Sequence, residues 1–209
     1  MQNNHFSPAY RIETDRLVLR CWQPQDAPLM LAAVSANVDH LRPWMPWVQD
    51  EPESIEEKIT RLRKFRAQFD LDESYTYAIF NPDETRVLGG TGLHPRSWPG
   101  ALEIGYWIDK DFTHKGLASE AAAVLTRVAF ELHKVRRVEI HCDAHNTLSA
   151  AIPRRLGFIH EGTLRGRLKL SEGDWKDEMI WSLFAEDYPA SPSFHAQLRA
   201  FDAIGRKIL

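Results

Sequence analysis

The chain has 209 residues, of which 44% are apolar and 26% charged, and its formal net charge is -3 at pH 7. These values fit one folded domain and argue against a disordered chain or a broad nucleic-acid-binding surface. The 2 cysteines cannot form a disulfide framework, and no apolar run reaches the roughly 18 residues of a membrane span. Met1–Tyr10 lacks the regions of a secretory signal, so a cytoplasmic location without a membrane partner is expected.

The first third of the chain predicts a strand and two helices. Arg16–Trp22 alternates apolar and polar residues as a half-buried strand does, and an apolar-rich segment then predicts a helix that ends at Ser35. Ser54 and Glu57 form a capping box at the start of a second amphipathic helix, which runs to Asp70.

Three strands and the clearest helix follow. The runs Tyr75–Phe80, Val87–Leu93 and Leu102–Ile108 are separated by turn signals, the second of which is Ser97–Gly100, and they predict an antiparallel meander. Apolar residues then recur at i, i+3, i+4 and i+7 through Ala118–Leu132, which predicts a helix.

The last third predicts a strand at Val138–Cys142, a short helix at Ser149–Leu156 and a closing strand pair at Phe158–Leu164 and Met179–Phe184. The tail after Tyr188 carries spaced apolar residues, which we interpret as a short helix docked on the body. The element order is βααβββαβαββ. We therefore expect one α/β (α+β) domain over residues 1–209.

The segment Asp109–Ala121 leaves a strand and enters the best helix through a loop that contains Gly116. Free N–H groups in a first helical turn, together with the positive end of the helix dipole, can hold a phosphate. Gly116 would let a pyrophosphate approach the backbone closely, although a plain helix start explains the glycine equally well. The Walker and dinucleotide-binding patterns are both missing.

This segment resembles the acyl-CoA-binding loop of the GNAT acetyltransferase superfamily, Gln/Arg-x-x-Gly-x-Gly/Ala, which it matches at Gly116 and Ala118. Thr113 and His114 depart from that pattern. The stretch from Asn146-Thr147-Leu148-Ser149 to Leu156-Gly157-Phe158 and Glu161-Gly162 is similar to a second landmark of the superfamily. The resemblance begins at Glu13–Leu17 and covers roughly residues 12–188, which it implies are the core of the domain. It implies the GNAT fold, a mixed and mostly antiparallel sheet of about seven strands flanked by helices. It also implies acetyl-CoA as co-substrate and no metal.

Leu41–Trp47 resembles a stretch found in the ribosomal-protein N-terminal acetyltransferase branch (RimJ/RimL-like) of the superfamily. That branch implies transfer of an acetyl group from acetyl-CoA to a primary amine, foremost a protein N-terminal α-amine. A small amine, an aminoacyl or antibiotic compound, and a CoA-binding regulatory module without turnover stay open as alternatives. A homodimer stays open too, since relatives often pair.

The resemblance also implies where acetyl-CoA binds and where its carbonyl is polarised, namely by the backbone N–H near Ile108. Five basic side chains leave two roles open, contact with the CoA 3′-phosphate and a solvated face: Lys134, Arg136, Arg137, Arg154 and Arg155. The cofactor-binding residues that the resemblance implies are Trp107, Ile108, His114, Lys115, Gly116, Leu117, Ala118, Ser119, Asn146 and Ser149.

A protonated amine must lose a proton before it attacks a thioester, so a carboxylate is needed near the reaction centre. Glu103 is the candidate, acting directly or through water, and an exposed strand glutamate is the alternative. Ser149 is the candidate acid, with Tyr106 in reserve, and Ser149 could equally be the N-cap of its helix. The predicted substrate-binding residues, which could instead fill the core, are Trp44, Met45 and Trp47, together with Glu103.

Two further interpretations concern the strand before Asn146. His141, Asp143 and His145 share one face of a strand and are potential metal ligands, but no second cluster at ligand spacing supports them, so no metal is expected. Cys142 could act as a nucleophile in a ping-pong reaction. Direct transfer is preferred, because only His141 or His145 could serve as its base.

Overall fold

The computed structural model describes residues 8–95 and 99–209, which form a nine-stranded sheet and five α-helices. The strands are β1 (Arg11–Glu13), β2 (Val18–Cys21), β3 (Tyr75–Phe80), β4 (Val87–Pro95), β5 (Ala101–Ile108), β6 (Arg137–Asp143), β7 (Ile159–Ser171), β8 (Asp174–Phe184) and β9 (Arg199–Phe201). The helices are α1 (Ala27–Ser35), α2 (Val38–Leu41), α3 (Ile55–Asp70), α4 (Leu117–Glu131) and α5 (Thr147–Arg155). Two of the four residues of the predicted turn Ser97–Gly100, Ser97 and Trp98, lie outside the described residues.

The strand order is β7-β8-β6-β5-β4-β3-β2-β1-β9, and all described neighbours pair antiparallel except β5 and β6, which are parallel. The predicted mixed, mostly antiparallel GNAT sheet is confirmed. The strand number is not, because the sheet has nine strands and the sequence predicts about seven. The two additional strands, β1 and β9, have three residues each and pair with one another at one edge.

The helices cover both faces of the sheet. The capping box that the sequence predicts starts α3: Ser54 Oγ accepts from the Glu57 N–H at 3.3 Å, and the Glu57 carboxylate accepts from the Ser54 N–H at 2.6 Å. One face of the sheet packs with α1 and α3 around Trp22 and Phe80. The other face packs with α4, whose apolar side buries Leu125 and other residues against the strands. None of the helices in the described part of the chain is both long enough and apolar enough to cross a bilayer.

The C-terminal tail is not the α-helix that its apolar spacing predicts. It contains two short 3-10 turns and then β9, where Ala200 is fully buried. The backbone of this segment bonds across to β1, with the Tyr10 N–H donating to the Phe201 carbonyl at 2.8 Å. The edge of β1 would otherwise present unpaired backbone N–H and C=O groups. The tail pairs with these groups as the strand β9, and this pairing outweighs the helical spacing of its apolar residues.

The closing hairpin is longer than predicted. It spans Ile159–Ser171 and Asp174–Phe184, well beyond the predicted ends at Leu164 and Met179. Register shifts between Leu164 and Leu168 break the alternation of side chains there, so the sequence pattern of a strand is interrupted while pairing continues.

The parallel strands β5 and β6 diverge halfway along their length. They pair from Ala101 opposite Arg137 to Glu103 opposite Glu139, and the remaining described residues of the two strands do not pair with each other. This divergence leaves the second half of β5 with a partner on one side only, at the level where α4 and α5 begin.

Candidate active site

A cleft of about 430 Å³, which we call the α4 cleft, opens beside the diverging half of β5. It lies between the end of β5, the loop that leads to α4, and the first turns of α4 and α5. Of the five basic candidates for contact with the CoA 3′-phosphate, Arg155 lines this cleft, and the other four do not. Nine of the ten predicted cofactor-binding residues line it: Trp107, Ile108, His114, Gly116, Leu117, Ala118, Ser119, Asn146 and Ser149.

Lys115 is the predicted cofactor-binding residue that does not line the α4 cleft. Its ammonium group lies 4.4 Å from the ring centroid of Phe112 and donates to the Asp111 carbonyl at 2.9 Å. These contacts hold the side chain against the preceding turn.

The start of α4 has the backbone shape that an anion site requires. Gly116 is the N-cap, with φ of 78° and ψ of 4°, and His114 also has a positive φ of 59°. Left-handed backbone is costly for residues with a Cβ, and glycine adopts it freely. The loop therefore turns sharply, and Leu117, Ala118 and Ser119, whose N–H groups belong to the first turn of α4, line the cleft.

Three residues that sequence reasoning did not select hold this loop in place. Arg16 forms an ion pair with Glu120 in the first turn of α4, and it also donates to the Lys115 carbonyl at 3.0 Å. Thr14 donates to the other oxygen of Glu120 at 2.6 Å. The signal was present, because Thr14 and Arg16 belong to the resembling segment Glu13–Leu17, but only the fold brings that segment to α4.

A second cavity of about 490 Å³, which we call the tryptophan cavity, lies on the α1 and α3 side of the diverging strands. All four predicted substrate-binding residues, Trp44, Met45, Trp47 and Glu103, line it. Leu168, from the long β7–β8 hairpin, closes part of the opposite wall. Its other large apolar and aromatic lining residues include Trp22, Met30, Phe65, Tyr77, Tyr106 and Trp107.

A buried ion cluster anchors the segment that follows the tryptophans to α3. The Lys58 ammonium group is fully buried and pairs with Glu51 and, at 2.8 Å, with Glu53. Glu53 in turn pairs with Arg61, which lines the tryptophan cavity. The carboxylates of Glu51 and Glu53 are therefore held in ion pairs with Lys58 and Arg61 and do not form a solvated acidic patch.

The two cavities meet at the Tyr106 and Ser149 side chains. The Tyr106 hydroxyl lies 3.1 Å from Ser149 Oγ and 3.2 Å from the Ser149 carbonyl oxygen. The N-cap of α5 is Asn146, whose Oδ1 accepts from the Ser149 N–H at 3.0 Å, so the alternative interpretation of Ser149 as N-cap is wrong. Six residues line both cavities: Trp44, Met45, Tyr106, Trp107, Asn146 and Ser149.

Glu103 is not an exposed strand glutamate, because only 8% of its surface is accessible. Its carboxylate Oε2 lies 3.4 Å from His141 Nδ1, and His141 Nε2 lies 2.9 Å from Glu139. Glu178 on β8 approaches the same Nδ1 at 3.8 Å. Sequence reasoning missed Glu139 on β6 and Glu178 on β8, and it considered His141 only as a metal ligand or as a base for Cys142.

The cysteine of β6 is poorly suited to act as a nucleophile. Burial raises the pKa of the Cys142 thiol to about 11, although a hydrogen bond with Ser149 partly opposes this shift. Desolvation likewise raises the pKa of the Tyr106 hydroxyl above its ordinary value. Both groups therefore stay protonated at neutral pH. In residues 8–95 and 99–209, the His, Cys, Asp and Glu side chains do not form a set of three that could hold a metal ion.

This chain is similar to acetyltransferases in sequence and in structure. The acetyltransferase (GNAT) domain family matches residues 16–159. The [ribosomal protein uS5]-alanine N-acetyltransferase of Escherichia coli (strain K12) is 29% identical over 187 residues, which cover 87% of this chain and 94% of the relative.

Two solved structures share the fold. RimL, a ribosomal L7/L12 alpha-N-protein acetyltransferase solved with coenzyme A, superposes with a TM-score of 0.74 at 24% identity, covering 82% of this chain and 95% of RimL. The microcin C7 self-immunity acetyltransferase MccE, solved with acetyl-CoA and AMP, gives a TM-score of 0.75 at 21% identity and covers 82% of this chain and 93% of that chain.

Proposed function

This chain belongs to the GNAT acetyltransferase family and transfers an acetyl group from acetyl-CoA, and on that premise we propose that its acceptor is the α-amine of a protein N-terminus. The support is twofold. Relatives that span nearly the whole chain are named for ribosomal-protein N-termini. The tryptophan cavity joins the α4 cleft only at the six shared residues, so an extended chain end fits the junction better than a folded surface does.

The single observation that carries the proposal is the meeting of two cavities at Tyr106 and Ser149. Acetyl-CoA occupies the α4 cleft, with its pyrophosphate at the first turn of α4 and its thioester near the junction. The amine enters from the tryptophan cavity. Each reactant thus reaches the reaction centre from its own side of the diverging strands.

Glu103 supplies the base in this proposal. An α-amine has a pKa near 8, so at neutral pH most of it is an ammonium ion that must lose a proton. The Glu103 carboxylate faces the tryptophan cavity and can take that proton directly or through one water. The amine nitrogen then attacks the acetyl carbonyl carbon while backbone N–H groups at the open edge of β5, near Ile108, stabilise the developing oxyanion.

The leaving thiolate takes a proton from the Ser149 and Tyr106 pair as the carbon–sulfur bond breaks, and the second proton of the attacking nitrogen, lost as the amide forms, returns to that pair. We place Ser149 nearest the sulfur and Tyr106 behind it, since their hydroxyl oxygens are 3.1 Å apart. No acyl-enzyme is required, because the Cys142 thiol, with a pKa of about 11, is not ionised at neutral pH. The names of the relatives also support a cytoplasmic reaction on ribosomal proteins.

The experiment is to incubate the purified chain with acetyl-CoA and a panel of N-terminal peptides, small primary amines and aminoacyl compounds. Free thiol release gives the rate, and mass spectrometry locates the acetyl group. We expect turnover on peptides, with the acetyl group on the N-terminal nitrogen. Turnover confined to small amines or aminoacyl compounds would contradict a protein N-terminus as the acceptor and would assign the acceptor to that class. Tight CoA binding without turnover on any acceptor would indicate a CoA-binding module.

A further inference from the structure

His141 sits at the centre of a group of carboxylates that come from three strands. Glu139 and His141 are two residues apart on β6 and therefore face the same side of the sheet, as does Asp143. Glu103 comes from β5 and Glu178 from β8, the two strands that flank β6. His94 on β4 lies opposite Glu103 in the register, and Arg137 pairs with Glu139 at 2.7 Å.

The two nitrogens of the His141 ring face different partners. Nε2 lies 2.9 Å from Glu139, whereas Nδ1 points towards Glu103 at 3.4 Å and Glu178 at 3.8 Å. A neutral imidazole carries one N–H and one lone pair, so it can donate on one side and accept a proton on the other. With the N–H directed at Glu139, the lone pair of Nδ1 faces Glu103.

This arrangement answers a need that the proposed reaction creates. Each turnover deposits one proton from the ammonium ion on Glu103, and Glu103 is largely shielded from solvent. The carboxylate must lose that proton before the next turnover. The His141 side chain is 18% exposed and also lines the tryptophan cavity, which makes it an adjacent group able to take the proton onward.

We propose that His141 is a positioning and proton-relay residue that acts through Glu103. The amine N–H bond breaks as the Glu103 O–H bond forms, and the proton then moves from Glu103 Oε2 to His141 Nδ1, while the Nε2–H remains directed at Glu139. The imidazolium ion releases the proton to solvent, and Glu103 returns to its carboxylate form. This inference rests on the proposed function.

The kinetic test compares the wild-type enzyme with His141→Gln and with His195→Phe. Glutamine keeps a polar N–H group but cannot take a proton at neutral pH. His195 lines neither cavity and contacts Phe194. We expect His141→Gln to lower kcat for a peptide acceptor by roughly 100-fold and to change the shape of the pH profile of kcat. The KM for acetyl-CoA should not change, because His141 does not line the α4 cleft.

The result that overturns the relay is a His141→Gln enzyme with the kcat and pH profile of the wild type. Absence of turnover by the wild-type enzyme on every amine would instead count against the proposed function.

A second measurement does not depend on turnover. In ¹⁵N-labelled protein, the ring resonances of His141, assigned by their loss in His141→Gln, should shift when Glu103→Gln removes the carboxylate facing Nδ1. Unchanged resonances would show that the two groups are not coupled and would overturn the relay even if no acceptor is found.

Discussion

The Tyr106 hydroxyl lies 3.1 Å from Ser149 Oγ, at the point where the α4 cleft and the tryptophan cavity meet. The phenol also reaches the Ser149 carbonyl oxygen at 3.2 Å, so its position is fixed from two sides. Ser149 itself is held by the bond from its N–H to Asn146. The two hydroxyl groups thus form one unit rather than two independent donors.

We predict that Ser149→Ala and Tyr106→Phe are not additive. Each single change should lower kcat by roughly 10- to 100-fold, since each removes a link in the path that protonates the thiolate. The double variant should be about as slow as the slower single variant, as expected for residues that act together. Tyr10→Phe, which removes a hydroxyl that donates to Asp70 far from both cavities, is the control. Losses that multiply in the double variant would contradict a shared role.

The Gly116→Ala change separates binding from stability. Gly116 and Gly205 have nearly equal positive φ angles, 78° and 80°, and both have room for a methyl group, whose nearest neighbour at Gly116 would be Arg16 Nη2 at 3.8 Å. Alanine at either position should therefore cost about 1 kcal/mol in the free energy of unfolding, from backbone strain alone. Only Gly116→Ala should raise the KM for acetyl-CoA, by about tenfold, because only Gly116 shapes the proposed pyrophosphate loop. Urea unfolding and steady-state kinetics measure the two quantities, and an equal rise in KM for Gly205→Ala would refute the assignment.

Arg16→Met tests the tether between the N-terminal segment and the loop before α4. Loss of the Glu120 ion pair and of the bond to the Lys115 carbonyl should loosen the loop and raise the KM for acetyl-CoA up to about fivefold, equivalent to about 1 kcal/mol. The matched control is Arg66→Met, which breaks another exposed ion pair, with Asp70. If Arg66→Met weakens acetyl-CoA binding equally, the effect belongs to the whole fold and not to the tether.

Cys142→Ala should retain turnover, with a kcat within about threefold of the wild type, because direct transfer uses no thiol nucleophile. Burial raises the pKa of Cys142 to about 11, so the folded protein favours the neutral thiol. The thiolate forms only as the pH rises towards that value, and iodoacetamide should modify native Cys142 slowly at pH 7 and about tenfold faster for each pH unit above it. Complete loss of turnover in Cys142→Ala with retained CoA binding would favour an acyl-enzyme route.

Lys58→Met should destabilise the fold strongly. The change leaves the buried carboxylate of Glu51 without its cation, and removal of one member of a buried pair costs roughly 3 kcal/mol in the free energy of unfolding. Lys58→Met combined with Glu51→Gln should recover part of this loss, because the uncompensated charge is gone. Urea titration provides the comparison. A double variant less stable than Lys58→Met would contradict the explanation.

Local patterns predicted the elements whose residues repeat over several turns or carry an end signal. The helix at Ala118–Leu132 and the capping box at Ser54 are of this kind. The three-residue strands β1 and β9 were missed, because so short a segment has no usable period and forms through pairing with a distant edge. The closing hairpin was predicted too short for a related reason, since the register shifts after Leu164 interrupt the alternation of apolar and polar side chains.

Nine of the ten predicted cofactor-binding residues line the α4 cleft, because they lie in short segments whose residue patterns are local in sequence. Lys115 shows the limit of that approach, since its contacts with Phe112 turn it away from the cleft. The group around His141 could not be anticipated, because Glu103, Glu139 and Glu178 converge only through the order β8-β6-β5. Nothing local to β8 indicates that it lies beside β6.

The separation of β5 from β6 also bears on how such enzymes diversify. The tryptophan cavity has wall residues from α1, α3, β3 and the long hairpin, and the α4 cleft has none from these elements. Substitutions in these elements can reshape recognition of the amine without disturbing the six residues at the junction or the pyrophosphate loop. Related enzymes with this arrangement can therefore change their amine acceptor while they keep the same acetyl donor.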